Sequence, residues 1–151
     1  MLERFKTIVV TTDFSERGDH AIPHAFRIAA DNDGKVIMCH VLETVITPVP
    51  LYAQYYPTDL LTPEVRARAE QDAGDALRQR VPQDATLAAV PFSLSIVHGS
   101  PAREIVHLAE EAKADLIVIS THGHTGLKHI VLGSVAERVL RHAHCAVLVV
   151  R

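Results

Sequence analysis

The chain has 151 residues, a length that fits one domain with a sizeable hydrophobic core, so we expect residues 1–151 to form a single domain. Its formal net charge of −3 and its lack of Trp argue against a nucleic-acid-binding protein, which needs a basic face and often uses stacking aromatics. No apolar run approaches the roughly 20 residues that span a bilayer, and the first residues lack the apolar core of a signal peptide. A cytoplasmic location without membrane contact is therefore the default expectation. The two cysteines, Cys39 and Cys145, flank strand-like runs and are expected to be buried small hydrophobes.

Strand-like and helix-like patterns alternate along the first half of the chain. Residues 5–12 and 35–42 are apolar and rich in β-branched residues, which predicts the first and second strands. Between them the apolar residues have helical spacing, but Pro23 interrupts the pattern. The first helix therefore either starts near Asp19, where an early proline is tolerated, or starts at Ser15 and kinks. Residues 43–61 contain three prolines and all three tyrosines, and predict a long surface excursion that is either functional or packs on the sheet.

The second half repeats the alternation and completes the fold. The pairs Thr62-Pro63 and Ser100-Pro101 each predict a helix start, because proline suits the first helical position after a cap. Further strands are predicted at 91–98, 116–119 and 146–150, with a last helix at about 135–142. This order predicts an α/β fold, a single doubly wound domain with a five-stranded parallel sheet flanked by four helices. With the strand order 3-2-1-4-5, ligands would bind between the first and fourth strands, where the order reverses.

The segment after the fourth strand carries the strongest functional signal. It contains three glycines, Gly123, Gly126 and Gly133, and Ser134 with Glu137 forms a capping-box pattern that predicts a helix start. Glycines allow backbone amides to approach a ligand closely, and a helix start leaves amides unpaired. Together these features suit phosphate.

A second polar cluster follows the first strand. In the predicted strand order, Thr11, Thr12 and Asp13 would face the loop that begins at Ser120, across one cleft. Asp13 could also simply cap the first helix. The position at the predicted switch point favours a role in ligand binding.

These motifs resemble the universal stress protein family, in its nucleotide-binding branch, over essentially the whole chain. The family motif Gly-x2-Gly-x9-Gly-Ser/Thr appears as Ser120-x2-Gly123-x9-Gly133-Ser134, with serine in place of the first glycine. The opening TTDFS resembles the family's PTDFS, with Thr11 where proline is common, and RHAHCAVLVV resembles the closing helix and strand. The resemblance implies an adenine nucleotide alpha hydrolase-like fold.

The resemblance also implies a site for ATP or AMP in a stress-response protein. Asp13 would meet the adenosine, Val41 would line the adenine pocket, and the segment from Gly133 to Val135 would hold phosphate. Mg²⁺ could accompany ATP, with Asp13 as the nearest candidate ligand. The implied nucleotide-binding residues are Thr11, Thr12, Asp13, Val41, Ile119, Ser120, Gly123, Gly133, Ser134 and Val135. A homodimer through residues 146–150 is expected as well, because that apolar edge strand needs cover.

Three other functions remain open at this point. Ser120 could block the pocket and leave a protein-interaction module that binds no nucleotide. The residues from Thr121 to His124 match a nucleotidylyltransferase signature, although that signature follows the first strand of its own fold. His122, His124 and His129 invite a metal hypothesis, but no HExxH or paired CxxC accompanies them. The loop has no carboxylate placed as a general base, so at most slow ATP hydrolysis is expected.

Overall fold

The structure is a computed structural model, and it describes residues 4–43, 62–121 and 132–151. Within these ranges, five strands form one parallel sheet in the order β3-β2-β1-β4-β5, which confirms the predicted fold and strand order. The strands are β1 (Thr7–Thr11), β2 (Lys35–Leu42), β3 (Phe92–His98), β4 (Leu116–Ser120) and β5 (Ala146–Val150). The helices are α1 (Glu16–Asp19), α2 (Ala21–Asp31), α3 (Pro63–Gln79), α4 (Ala85–Ala88), α5 (Pro101–Glu111) and α6 (Ser134–His142).

A hydrophobic core covers each face of the sheet, because successive side chains of the buried central strands point to opposite sides. Ile8 and Val10 of β1 pack on one face with Phe26 of α2, in a core that also takes in residues of α3 and α4. Val9 packs on the other face with Ile105 of α5, in a core shared with α6. Full burial of each such side chain contributes about 1.5–3 kcal/mol. The parallel pairing of β1 with β4 places their carboxyl ends side by side at one edge of the sheet.

The first predicted helix is divided into two. The Ser15 hydroxyl accepts a hydrogen bond from the Gly18 amide at 2.9 Å and caps α1, which ends before His20. The chain resumes as α2 at Ala21, so Pro23 lies in the first turn, where proline is tolerated. Each of the two predicted starts therefore describes one part of this segment.

One expectation about a helix start is wrong, and one short helix was not predicted. The capping box at Ser134 does not form, because the chain is still extended at Gly133, which is the N-cap of α6, and Ser134 is already helical. The Glu137 amide donates to the Gly133 carbonyl at 2.9 Å, one residue earlier than predicted. The short helix α4 was not predicted, although Asp84 caps it through the amides of its first turn.

The remaining expectations concern the surface excursion, the two cysteines and membrane spans. Residues 44–61, nearly all of the predicted surface excursion, lie outside them. Cys39 is buried and Cys145 is partly buried, and both are free thiols. None of the helices in 4–43, 62–121 and 132–151 is both long and apolar enough to cross a membrane.

Candidate functional site

A cavity of about 480 Å³ opens at the carboxyl ends of β1, β2 and β4, where the strand order reverses. This volume lies within the range of roughly 300–1,000 Å³ that is typical of small-molecule sites. The position is the one at which open α/β sheets bind ligands.

The cavity brings together every predicted site residue that the structure describes. Gly123 lies outside the described residues, and so do His122 and His124 of the nucleotidylyltransferase signature. The predicted residues that line the cavity are Thr11, Thr12, Asp13, Val41, Ile119, Ser120, Gly133, Ser134 and Val135.

Several lining residues were not predicted as site residues. They comprise neighbours of predicted residues, the first residue of α5, and two residues inside helices. For the first two groups, a place at a strand end or helix start is the signal that could have found them. These residues are Gly18, His40, Leu42, Glu43, Pro101, Ile105, Thr121 and Ala136.

The base of the cavity is apolar and formed by the sheet and α5. Val41 and Ile119 are the penultimate residues of β2 and β4, and Ile105 of α5 packs with them in one core. Cys39 lies fully buried in the same core, and its burial, together with the nearby Glu104 carboxylate, raises the pKa of its thiol to about 12. The thiol is therefore protonated at neutral pH, which makes it a poor nucleophile and a poor metal ligand.

One wall of the cavity is the turn that follows β1. The Thr12 amide donates to the Cys39 carbonyl at 3.2 Å, and His40 Nδ1 lies 2.9 Å from the Thr12 carbonyl oxygen. Because that oxygen can only accept, Nδ1 is the donor. The Asp13 carboxylate accepts hydrogen bonds from the amide and hydroxyl of Ser15. These contacts fix the turn against β2 and hold Asp13 at the cavity.

Gly18 is required by the approach of α1 to Asp13. A Cβ at this position would collide with the Asp13 carboxylate and would lie 2.9 Å from Ser15 Oγ. The absence of a side chain at Gly18 thus leaves room for the carboxylate in its observed place. Asp13 does not cap α1 itself, since Ser15 does so.

A network of side chains that ends at Arg80, outside the cavity lining, supports this turn. The Thr12 hydroxyl donates to Asp19 at 2.6 Å and accepts from the Phe14 amide at 3.0 Å. Asp19 in turn accepts from Nε of Arg80, at 2.9 and 2.8 Å to its two oxygens. Arg80 follows α3, so the network joins the turn to a helix 61 residues further along the chain.

The opposite wall is the start of α6 and is built from backbone. The Gly133 amide donates to the Thr121 carbonyl at 2.8 Å, which holds the chain extended as it enters the helix. No side chain of the described residues caps this end. The amides of a first helical turn have no partner within the helix and carry a partial positive charge. Ser134, Val135 and Ala136 therefore offer an anion-binding surface to the cavity.

The charges that line the cavity are few. Among the described residues of the lining, the acidic side chains are Asp13 and Glu43, the imidazole is that of His40, and there is no Lys or Arg. Attraction for an anion in this part of the lining must therefore come from backbone amides and the helix dipole. Nowhere in 4–43, 62–121 or 132–151 do three or more His, Cys, Asp or Glu side chains group so that they could hold a metal ion.

The model of the universal stress protein family matches residues 4–151. The chain belongs to the universal stress protein family. This confirms the family resemblance and accords with the fold, since the solved structures that are similar to this chain include universal stress proteins.

Individual relatives of this universal stress protein cover nearly the whole chain. A universal stress protein of Methanocaldococcus jannaschii is 37% identical over 148 residues, which are 97% of this chain and 82% of the relative. The structure of universal stress protein UspA from Lactobacillus plantarum is 28% identical, with a TM-score of 0.80, and covers 99% of this chain and 100% of its own. Another universal stress protein, solved in complex with cAMP, is 28% identical with a TM-score of 0.62, over 99% of this chain and 98% of its own.

Proposed function

We propose that this universal stress protein binds an adenine nucleotide, ATP or AMP, in the cavity between the ends of β1 and β4. Binding would make it a nucleotide-responsive regulator or interaction protein in a stress response, without fast chemistry of its own. The observation that carries the proposal is one cavity that joins an apolar base to a helix start without a side-chain cap. A nucleobase needs an apolar surface, and a phosphate needs free backbone amides such as those of a helix start. The cAMP complex of a 28% identical relative supports the same ligand class.

The lining suggests how the nucleotide lies. Adenine would pack on the apolar base near Val41, and Asp13 would accept hydrogen bonds from the adenosine. The phosphate would receive the amides at the start of α6, with the Ser134 hydroxyl as a further donor. Thr11, Thr12, Ile119 and Ser120 would close the lining between these ends, and Gly123 would join them from the loop.

Ser120 does not close the cavity. Ser120 is 9% exposed at the end of β4, and the cavity keeps a volume of about 480 Å³ with its side chain in place. This observation favours nucleotide binding over an interaction module that a blocked pocket would leave. Serine at the first motif position would change the affinity rather than abolish binding.

The number of phosphates should decide the need for a cation. Since the described lining contains the acidic residues Asp13 and Glu43 and no Lys or Arg, each additional phosphate charge meets repulsion there. We therefore propose that ATP binds with Mg²⁺, which offsets its charge, and that AMP binds without it. The proposal retains the single domain, the cytoplasmic location and the lack of a nucleic-acid partner that the sequence predicts.

A homodimer through β5 is the second part of the proposal. β5 is an edge strand, and Leu148 is 36% exposed on it, beside α6 with Leu140 at 43%. Unpaired edges with exposed apolar side chains favour pairing with another strand. We expect a dimer in sedimentation equilibrium at micromolar concentration, and a monomer there would contradict this part.

The binding proposal is tested by calorimetric titration of the full chain with cAMP, AMP, and ATP with and without Mg²⁺. We expect saturable one-site binding to the wild-type protein and to the control Asp31→Ala, in which an exposed carboxylate at the end of α2 is removed. Asp13→Ala should bind about tenfold more weakly, because a hydrogen bond to a charged group is lost. Absence of heat and of a thermal shift in all four titrations would contradict the proposal.

A further inference from the structure

The residue after Asp13 has an unusual backbone conformation. Phe14 has a φ of 66°, in the left-handed region that bulky side chains rarely adopt. Such a conformation persists only where the surrounding structure imposes it, and it is common at functional sites. The direction in which the chain leaves Asp13 therefore depends on what holds Phe14.

Two side chains hold the aromatic ring of Phe14. The His40 ring stacks on it with the centroids 4.0 Å apart, and the Arg80 guanidinium carbon lies 4.7 Å from the ring centroid, over its face. Arg80 also binds the backbone, since its Nη2 donates to the Phe14 carbonyl at 3.2 Å. Arg80 thus contacts both the ring and the main chain of the strained residue, and it adds a cation–π contact to a hydrogen bond.

The Arg80 side chain is itself fixed on the rest of the fold. Its Nη1 donates to the Ala76 carbonyl at 3.0 Å, and its Nε faces the carboxylate of Asp19. The Arg80 and Asp19 side chains are only 26% and 29% exposed, so solvent screens this ion pair less than an exposed one. Arg80 does not line the cavity, and any effect on a ligand must pass through the turn.

We infer that Arg80 is a positioning residue for the cavity: by holding Phe14 in its left-handed conformation, it fixes the turn that presents Asp13 to the ligand. The effect on affinity rests on the proposed nucleotide binding, whereas the effect on the turn does not. Without Arg80, Phe14 relaxes toward negative φ, and only a fraction of the molecules keep the competent turn. The apparent dissociation constant rises in inverse proportion to that fraction.

The conformation of the turn is tested in the ligand-free protein by NMR. A residue with positive φ has its amide proton close to its own Hα, so Phe14 should show an intense intraresidue NOE in the wild-type protein. We expect the same NOE in the control Arg78→Ala, because Arg78 makes an exposed ion pair with Asp75 on α3. In Arg80→Ala the NOE should weaken to the intensity of ordinary residues. An unchanged NOE would overturn the inference, whether or not the protein binds nucleotide.

Affinity is then measured by calorimetry with AMP on the same proteins. Arg80→Ala should raise the dissociation constant about tenfold, which corresponds to a competent turn in about a tenth of the molecules. Arg78→Ala should leave it unchanged. A lower melting temperature of Arg80→Ala with an unchanged dissociation constant would show a merely structural role and overturn the inference. Should Arg80→Ala not fold, Arg80→Lys, which loses the planar guanidinium but keeps the charge, takes its place with the same expected direction.

A glycine at position 14 distinguishes positioning from a general loss of packing. Because glycine adopts positive φ without steric cost, Phe14→Gly no longer needs Arg80 to hold the turn. Addition of Arg80→Ala to Phe14→Gly should therefore leave the dissociation constant of Phe14→Gly unchanged. An equal loss of affinity from Arg80→Ala in both backgrounds would overturn the inference. If the wild-type protein binds no nucleotide, the proposed function fails, and the NOE alone decides the role of Arg80 in the turn.

Discussion

The two walls of the cavity are built in different ways. The turn after β1 is held by side chains, in a network that runs from Thr12 through Asp19 to Arg80. The start of α6 has no side-chain cap among the described residues and offers backbone amides instead. One wall therefore fixes the shape of the site, and the other supplies positive potential without a cationic side chain. Substitutions in the first wall should affect stability and binding together, and those in the second should affect binding alone.

The largest effect is expected at Gly18 in the first wall, because both stability and binding depend on the absence of a Cβ at this residue. Gly18→Ala places a Cβ against the Asp13 carboxylate and should weaken AMP binding about tenfold, as the hydrogen bonds of the displaced carboxylate are lost. Overpacking should also lower the free energy of unfolding by about 1–3 kcal/mol. Calorimetry and urea denaturation measure the two effects.

Gly74→Ala is the matched control for this substitution. An added Cβ at Gly74 meets nothing within 4 Å, and the residue lies inside α3. The change should raise the free energy of unfolding by about 1 kcal/mol through helix propensity and leave binding unchanged. Equal effects of the two substitutions on affinity would contradict the role of Gly18.

A comparable effect on stability, but without a displaced Asp13 carboxylate, is expected from loss of the hydrogen-bond network alone. Thr12→Val removes the hydroxyl that donates to Asp19 and accepts from the Phe14 amide, at a site that is only 5% exposed. Unsatisfied partners should lower the free energy of unfolding by about 1–3 kcal/mol in urea denaturation. Thr86→Val, on the exposed side of α4, is the control and should change little. A neutral Thr12→Val would show that the network does not support the turn.

The smallest effect on stability is expected in the second wall. Ser134 makes no capping hydrogen bond, so Ser134→Ala should change the free energy of unfolding by less than about 0.5 kcal/mol. If the hydroxyl donates to phosphate, the affinity for AMP should still fall several-fold. Paired denaturation and calorimetric experiments separate these effects. A loss of stability as large as that of a lost cap, about 1 kcal/mol, would contradict the uncapped helix start.

Much of the fold and of the lining could be predicted from the sequence. The alternation of β-branched runs and helical spacing determines the elements, and chain connectivity then restricts the strand order to few choices. The predicted strand order placed Ser120 opposite Thr11, Thr12 and Asp13, because the carboxyl ends of parallel strands meet at one edge of a sheet. Val41 was implied by the family resemblance alone. The strand and helix patterns, and the polar residues that follow the strands, are local in the sequence, so they can be recognised without knowledge of tertiary contacts.

The network of side chains that supports the first wall, from Thr12 through Asp19 to Arg80, could not be predicted in the same way. Arg80 contacts Phe14 across 66 residues, and nothing in the local pattern of α3 distinguishes Arg80 from Arg78, which is exposed. The start of α6 was placed one residue late for a related reason. The hydrogen bond between the Gly133 amide and the Thr121 carbonyl, which keeps Gly133 extended, joins residues that only the folded chain brings together.

The central claim, that the cavity at the ends of β1 and β4 holds an adenine nucleotide, is tested most directly by NMR titration of the ¹⁵N-labelled protein with AMP. Saturable shifts are predicted for the amides of Asp13 and Val135 in the two walls and of Val41 in the apolar base of the cavity. Amides far from the cavity, such as those of Gly74 and Phe92, should not move. Shifts confined to distant residues, or no shifts at millimolar AMP, would contradict the account.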